Sequence, residues 1–235
     1  MKLARACVYD DDLFSLLENG ADLKVTGVFS SGTYLAGENG EEVLLCDENY
    51  GEIPFAVSVE GFGRNGHDLG IAAEMKAASG KGILEIPEAQ YSVRYEKKEG
   101  AKKTPFNLEA FIEAADSVIA SDERATVGKT EDAIARIGEK GRQQLIRSVM
   151  DGKDPKKALE GLIGLGRGLT PTFDDYVTGF TFTLNYTGAE CAALNEAVLS
   201  SLEKTNIYSR PYLRAAARKK YFSVLASCLA EDSGK

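Results

Sequence analysis

The residues with the most chemistry in them lie together: Gly161-Leu162-Ile163-Gly164-Leu165-Gly166-Arg167-Gly168-Leu169-Thr170-Pro171-Thr172-Phe173-Asp174-Asp175. Glycine in a helix interior costs about 1 kcal/mol relative to Ala. Glycines at spacings of three, two and two therefore predict a tight loop, with backbone angles that favour glycine. Thr170 reads as the N-cap of a following helix, Pro171 as its first residue, and Asp174 and Asp175 fall in the first turn. A glycine loop that enters a helix N-terminus leaves backbone N–H groups in one concavity, where the helix dipole also favours an anion. Gly164, Gly166, Gly168, Thr170 and Thr172 would supply such donors, and Arg167 a cation within the loop. The chemistry is recognition of a phosphate or a carboxylate. A ligand-free helix connection fits the same residues, with the two acids balancing the helix dipole.

The loop is neither of two familiar phosphate binders. No Lys-Ser or Lys-Thr follows the last glycine, and the segment before it, Asp154 to Ile163, reads as helix where a dinucleotide fingerprint needs a strand. Asp174 or Asp175 could hold Mg²⁺ against a phosphate, since that ion commonly takes one or two carboxylates and completes its shell with substrate oxygens. Adjacent helical residues point about 100° apart, so at most one of the pair faces the loop; the sequence does not choose. Ser209, Arg210 and Arg214 form a second polar group, and a guanidinium fork recognises oxyanions bidentately. An ordinary solvated surface is the alternative for all three arginines. His67 is the only histidine, next to Asp68 in a glycine-rich turn, which excludes a multi-histidine metal site. Cys7, Cys46, Cys191 and Cys228 are scattered and read as reduced core thiols. No catalytic nucleophile or base stands out.

Gly-Leu-Gly-x-Gly-Leu-Thr-Pro-x-x-Asp-Asp, continued by Tyr176 and Gly179, resembles the signature of a bacterial family. That family includes a subunit associated with oxamate carbamoyltransferase in anaerobic allantoin breakdown. Thr205 to Ala216 resembles the family's later Thr-x-x-x-Ser-x-x-x-Leu-x-x-Ala block. Members usually read Ser-Gly before the paired aspartates, where this chain has Thr172-Phe173. The resemblance implies a cytoplasmic, carbamoyl-transferring subunit of purine catabolism that binds a small anionic substrate such as carbamoyl phosphate and works with other enzyme subunits. The Ser-x-Arg-Thr and His-Pro motifs of aspartate and ornithine carbamoyltransferases are missing, so such chemistry would use a different site. The alternatives are a non-catalytic anion- or nucleotide-binding scaffold or regulatory subunit, and a structural module whose glycine loop only packs.

These residues need elements to position them. Val25 to Phe29, Val43 to Cys46, Phe55 to Val59, Ile83 to Ile86 and Tyr91 to Tyr95 are short runs rich in β-branched and aromatic residues, with Asn-Gly and Gly-rich turns between them. They predict a small antiparallel sheet or barrel. Asp10 to Leu17 predicts a short helix, and Ile71 to Ala78 one or two helical turns. The charged stretch Glu96 to Pro105 reads as a linker. Beyond it, helical faces follow at Leu108/Phe111/Ile112/Ala115/Ile119, Ile134/Ile137/Gly141/Leu145/Val149, Phe173/Tyr176/Val177/Phe180/Leu184, Leu194/Ala197/Val198/Leu202 and Leu213/Ala216/Ala217/Tyr221. The expected fold is α+β, with a β-rich domain over 1–103 and a helical domain carrying the glycine loop over 104–235. A net charge of −8 over 235 residues argues against nucleic acid, which needs clustered cations. No apolar run approaches the ~20 residues that span a bilayer, and Met1 to Cys7 lacks a signal-peptide core. A cytoplasmic protein is expected.

Overall fold

The computed structural model describes residues 2–63, 66–100 and 133–227. The helix expected from Asn107, residues 101–105 of the expected linker, and Cys228 lie outside these residues. The chain forms two compact units, Met1–Lys102 with Phe222–Val224, and Lys103–Tyr221 with Leu225–Lys235.

The first unit is an eight-stranded closed barrel. Its strands are β1 Lys2–Val8, β2 Asp22–Phe29, β3 Gly32–Gly37, β4 Glu42–Asp47, β5 Ala56–Val59, β6 Lys76–Gly80, β7 Ile83–Ile86 and β8 Tyr91–Lys97. Around the barrel they run β1-β5-β4-β3-β2-β6-β7-β8. Hairpins β2–β3, β3–β4, β6–β7 and β7–β8 are antiparallel, as are β2–β6 and β1–β5. Two further pairings are parallel: β4 with β5, and β1 with β8, which closes the barrel. Closure matters because an open edge strand is a template for aggregation. Val8, Val25, Leu35, Leu45, Val57, Leu84, Ile86 and Val93 are buried in its core. They are joined by Leu13 and Leu17 of α1 (Asp11–Glu18), whose first amides are capped by the Asp10 carboxylate. Ser223, which belongs to this unit, donates its amide to the Glu52 carbonyl and its hydroxyl accepts from the Glu52 amide.

Three strands differ from expectation. β1 and β3 went unread, because Lys2–Val8 carries Lys and Arg, and Gly32–Gly37 is bounded by glycines. Residues 71–78 were read as helical, whereas Lys76–Gly80 is β6 between β2 and β7. Ala and Lys are good helix formers in isolation, but ladder pairing on both sides outweighs a propensity of tenths of a kcal/mol per residue.

The second unit is helical: α2 Ala133–Met150, α3 Lys156–Glu160, α4 Thr172–Thr187, α5 Ala192–Leu199 and α6 Arg210–Ala217, followed by α7 Ser223–Ser227, which begins in the first unit's segment. The α+β class is therefore as expected. Leu145, Leu159, Leu162, Phe173, Val177, Leu194, Val198 and Leu213 share one core. The face expected for α2 needs one correction, because Ile137 is 57% exposed. The buried face is instead Gly138, Gly141 and Leu145. The two glycines are grooves that receive large side chains: a Cβ on Gly138 would sit 1.8 Å from the Phe173 ring, and one on Gly141 would sit 2.8 Å from Leu162. The periodicity of large apolar residues misses a face built from missing side chains.

This packing separates two glycine-to-alanine changes of equal helix propensity. Gly138→Ala gains about 1 kcal/mol of propensity but overpacks against Phe173, at a cost of about 1–3 kcal/mol, and is expected to destabilise. Gly179→Ala, whose Cβ meets nothing within 4 Å, is expected to stabilise by up to about 1 kcal/mol. Urea denaturation of both variants checks this, and a stabilised Gly138→Ala would contradict the packing.

Candidate functional site

The glycine loop closes on itself before it meets anything else. Gly164 has φ +83°, and a Cβ there would lie 2.3 Å from the Lys204 carbonyl oxygen. Gly166 has φ +128°, and its Cβ would lie 2.5 Å from the Thr172 nitrogen. Both positions therefore demand glycine, for conformation and for space. Gly168, with φ +104°, and Arg167 are exposed in the turn. The start of α4 is one residue later than expected: Pro171 is the flanking residue and Thr172 the first of the helix. Thr170 does not cap the backbone; its hydroxyl donates to Asp175 Oδ2 at 3.2 Å. Pro171, in an extended conformation at φ −53° and ψ 136°, has no side-chain acceptor to offer.

The structure separates the two acids. Asp174 is fully buried. Its Oδ1 accepts the Gly164 amide at 2.7 Å, and its Oδ2 accepts the Thr205 hydroxyl. Asp175 lies against Thr170 at the other end of the loop, so both acids meet the loop where at most one was expected. Its carboxyl is pushed up from 3.8 to about 6, chiefly by desolvation, and further by the negative charge of Asp174, against the opposing hydrogen bond from Thr170. Among the described residues, no group of three or more His, Cys, Asp or Glu side chains is placed to hold a metal.

Loop and downstream segment come together. Besides the Asp174–Thr205 bond, Asn206 Nδ2 donates to the Leu169 carbonyl at 2.9 Å. Asn206 Oδ1 also accepts the amides of Tyr208 and Ser209, shaping the turn into α6. Ser209 is buried beside the loop's partner segment and its hydroxyl has no hydrogen-bond partner among the described residues. Arg210 is turned to its own neighbourhood: Nε donates to the Leu202 carbonyl at 3.1 Å, and Nη2 lies 3.2 Å from Glu203. Arg214 is half-buried on α6. Cys46 is buried and its thiol pushed up to about 12 by desolvation. Burial raises Cys7 and Cys191 as well, so none of these thiols is a ready nucleophile.

Sequence reasoning missed one feature of α4. Beside its apolar face, Asp174, Thr178, Thr181 and Asn185 recur at spacings of four, three and four, a second helical stripe. Asp174, Thr178 and Thr181 are buried, and the stripe turns toward α6, where Asn185 Nδ2 donates to the Ala216 carbonyl at 2.9 Å. Asn185 also exchanges amide hydrogen bonds with Asn195, at 2.8 and 3.0 Å. Asp, Thr and Asn at helical spacing ordinarily mark a solvated face; the only warning was that α4 has large apolar residues on its other side and little room for a third, wet face. Thr205 and Asn206 fall in the segment from Thr205 to Ala216, whose resemblance assigns them no role; their polar side chains just ahead of Pro211 are the available signal.

Residues 162–234 match the family model described as oxamate carbamoyltransferase subunit AllH. The matched residues take in the loop from Gly164, the α4 stripe and the Thr205–Arg214 segment. No curated protein and no solved structure matches the chain.

Two outcomes follow. Asp174→Ala leaves the Gly164 amide and the Thr205 hydroxyl without their buried acceptor and is expected to cost about 3 kcal/mol, with Asp174→Asn losing less. For Asp175, the folded-state pKa lies above its ordinary 3.8, at about 6, so folding favours the neutral form. That contribution is present below the ordinary value and is lost as pH rises through about 6. Asp175→Asn should therefore match the wild type at acid pH and gain in relative stability as pH rises into the neutral range. Thermal melts across pH check this; a pH-independent difference would contradict it.

Proposed function

We propose that the second unit binds a small phosphate-bearing substrate such as carbamoyl phosphate, as one subunit of a carbamoyl-transferring enzyme of the oxamate carbamoyltransferase type. The observation that carries this reading is convergence. The loop Gly164 to Thr172 and the segment Thr205 to Arg214 lie in the family-matched stretch, and they are joined through Asp174–Thr205 and Asn206–Leu169. In carbamoyl transfer from carbamoyl phosphate, a nucleophile attacks the carbamoyl carbon, negative charge builds on its oxygen, and inorganic phosphate leaves. The protein's task is to hold donors at both places. Arg167, exposed at the loop tip, and Arg214 are the cations assigned to the phosphate, with Gly166, Gly168, Thr170 and Thr172 lining its approach. Ser209 lies further in. Magnesium, if used, is assigned to Asp175 before Asp174, because both Asp174 oxygens already accept protein donors while Asp175 keeps Oδ1 outside its bond to Thr170. Reaction partners would come from other subunits, in the cytoplasm; no helix among the described residues is long and apolar enough to cross a membrane.

A second reading has its own support. Gly164 and Gly166 are filled against by protein backbone, and Arg210 is tied to Glu203 and Leu202. That is what a scaffold or regulatory subunit, or a loop used only for packing, would show.

Calorimetry with phosphate and carbamoyl phosphate, with and without Mg²⁺ and partner subunits, separates the readings. Arg167→Ala and Arg214→Ala are expected to weaken anion binding by about ten- to hundredfold each while leaving the fold intact, since each removes a charge-assisted donor worth about 1.5–3 kcal/mol. Gly166→Val is the less clean variant, because its side chain would strike Thr172. Absence of binding under every condition would favour the packing reading.

A further inference from the structure

The polar stripe of α4 is tied to its partner at two points, and both have the same offset. Asp174 meets Thr205 and Asn185 meets Ala216, each pair 31 residues apart. The segment entering α6 therefore runs parallel to α4 and in step with it. Between the two ties the same offset pairs Thr178 with Ser209, the residue before α6, and Thr181 with Tyr212 in its first turn. Thr178, Thr181 and Ser209 are 6%, 0% and 1% exposed, and none of their hydroxyls has a hydrogen-bond partner among the described residues. Buried hydroxyls are seldom left so. Both ends of the stripe are satisfied and its middle is not.

Resting on the reading of the loop as an anion site, we infer that Thr178 and Ser209, with Thr181 behind them, form an inner subsite that takes the neutral carbamoyl or primary amide end of the substrate while its phosphate stays outside at the loop. Charge decides the orientation. The subsite lies about one helical turn, ~5.4 Å, from the buried Asp174 carboxylate, which repels an anion more strongly in a buried site than at the surface. A planar amide suits the groups present. Its carbonyl accepts from the Ser209 and Thr178 hydroxyls, and its NH₂ donates to Thr181 or to the second lone pairs of Asp174. A single water bridging Thr178 and Ser209 would leave Thr181 unpaired. The subsite thus selects for a carbamoyl group over a carboxylate of the same size, a distinction the outer arginines cannot make.

The test uses the whole chain, with acetamide and acetate as probes at equal concentrations, followed by amide NMR shifts at Gly164, Thr178 and Ser209. Acetamide is expected to give saturable shifts and acetate none. Thr178→Val, which keeps the side-chain shape, and Ser209→Ala, which removes a hydroxyl that caps nothing, should each weaken acetamide by about tenfold, the loss of one hydrogen bond. Phosphate binding by calorimetry should be unchanged in Thr178→Val. Equal binding of acetate, no saturable acetamide shift, or variants that bind acetamide as the wild type does would overturn the inference. Phosphate binding in those same samples reports on the outer anion site separately, so the loop reading can survive the loss of this one, or fail without it.

Discussion

The second unit depends on one buried carboxylate. Asp174 is fully removed from solvent, and it is accommodated because a backbone amide and a hydroxyl from opposite sides of the chain both donate to it. An acid in that position is costly unless hydrogen-bonded, so its partners are constrained in turn. Gly164 must present its amide from a left-handed conformation, pressed against the Lys204 carbonyl where no side chain fits. Thr205 must sit opposite, which fixes the turn that Asn206 then organises into α6. Loop, helix start and downstream segment are thus a single hydrogen-bonded unit, and the register between α4 and α6 follows from it.

This gives α4 two buried faces of different character. Phe173 and Val177 pack into the apolar core, with Tyr176, Phe180 and Leu184 at its margin. Asp174, Thr178, Thr181 and Asn185 make the polar one, tied at its ends to Thr205 and to Ala216 of α6. An apolar interface specifies burial but tolerates sliding; a hydrogen-bonded one fixes position along the axis, because a shifted donor loses its acceptor at a cost of about 1–3 kcal/mol. The ties at Thr205 and Ala216 set that position at both ends of the helix.

The charge pattern around the loop is divided in the same way. Arg210 spends its guanidinium on Leu202 and Glu203, and Arg142 on α2 is paired with Glu139 while lying 5.9 Å from the Tyr176 ring. Arg167 is exposed at the loop tip. On the proposed reading, a cation at the rim and a carboxylate beneath suit a ligand with one anionic and one neutral end.

Much of this was legible from residue types alone. The glycine spacing announced a loop, Pro171 and the paired acids announced a helix start, and the β-branched runs announced a barrel-like unit before the helices, because each is a local steric or periodic constraint. Local rules failed where the partner is distant in sequence. Lys76–Gly80 became a strand because β2 and β7 flank it; the buried side of α2 is made of glycines because Phe173 and Leu162 need the space. The sequence could say that Asp174 and Asp175 point about 100° apart, but not that the loop folds so as to meet both, at Gly164 and at Thr170, and buries one of them. Which one it is depends on where Thr205 lies, and that position is set by the packing of α4 against α6, which no local pattern encodes.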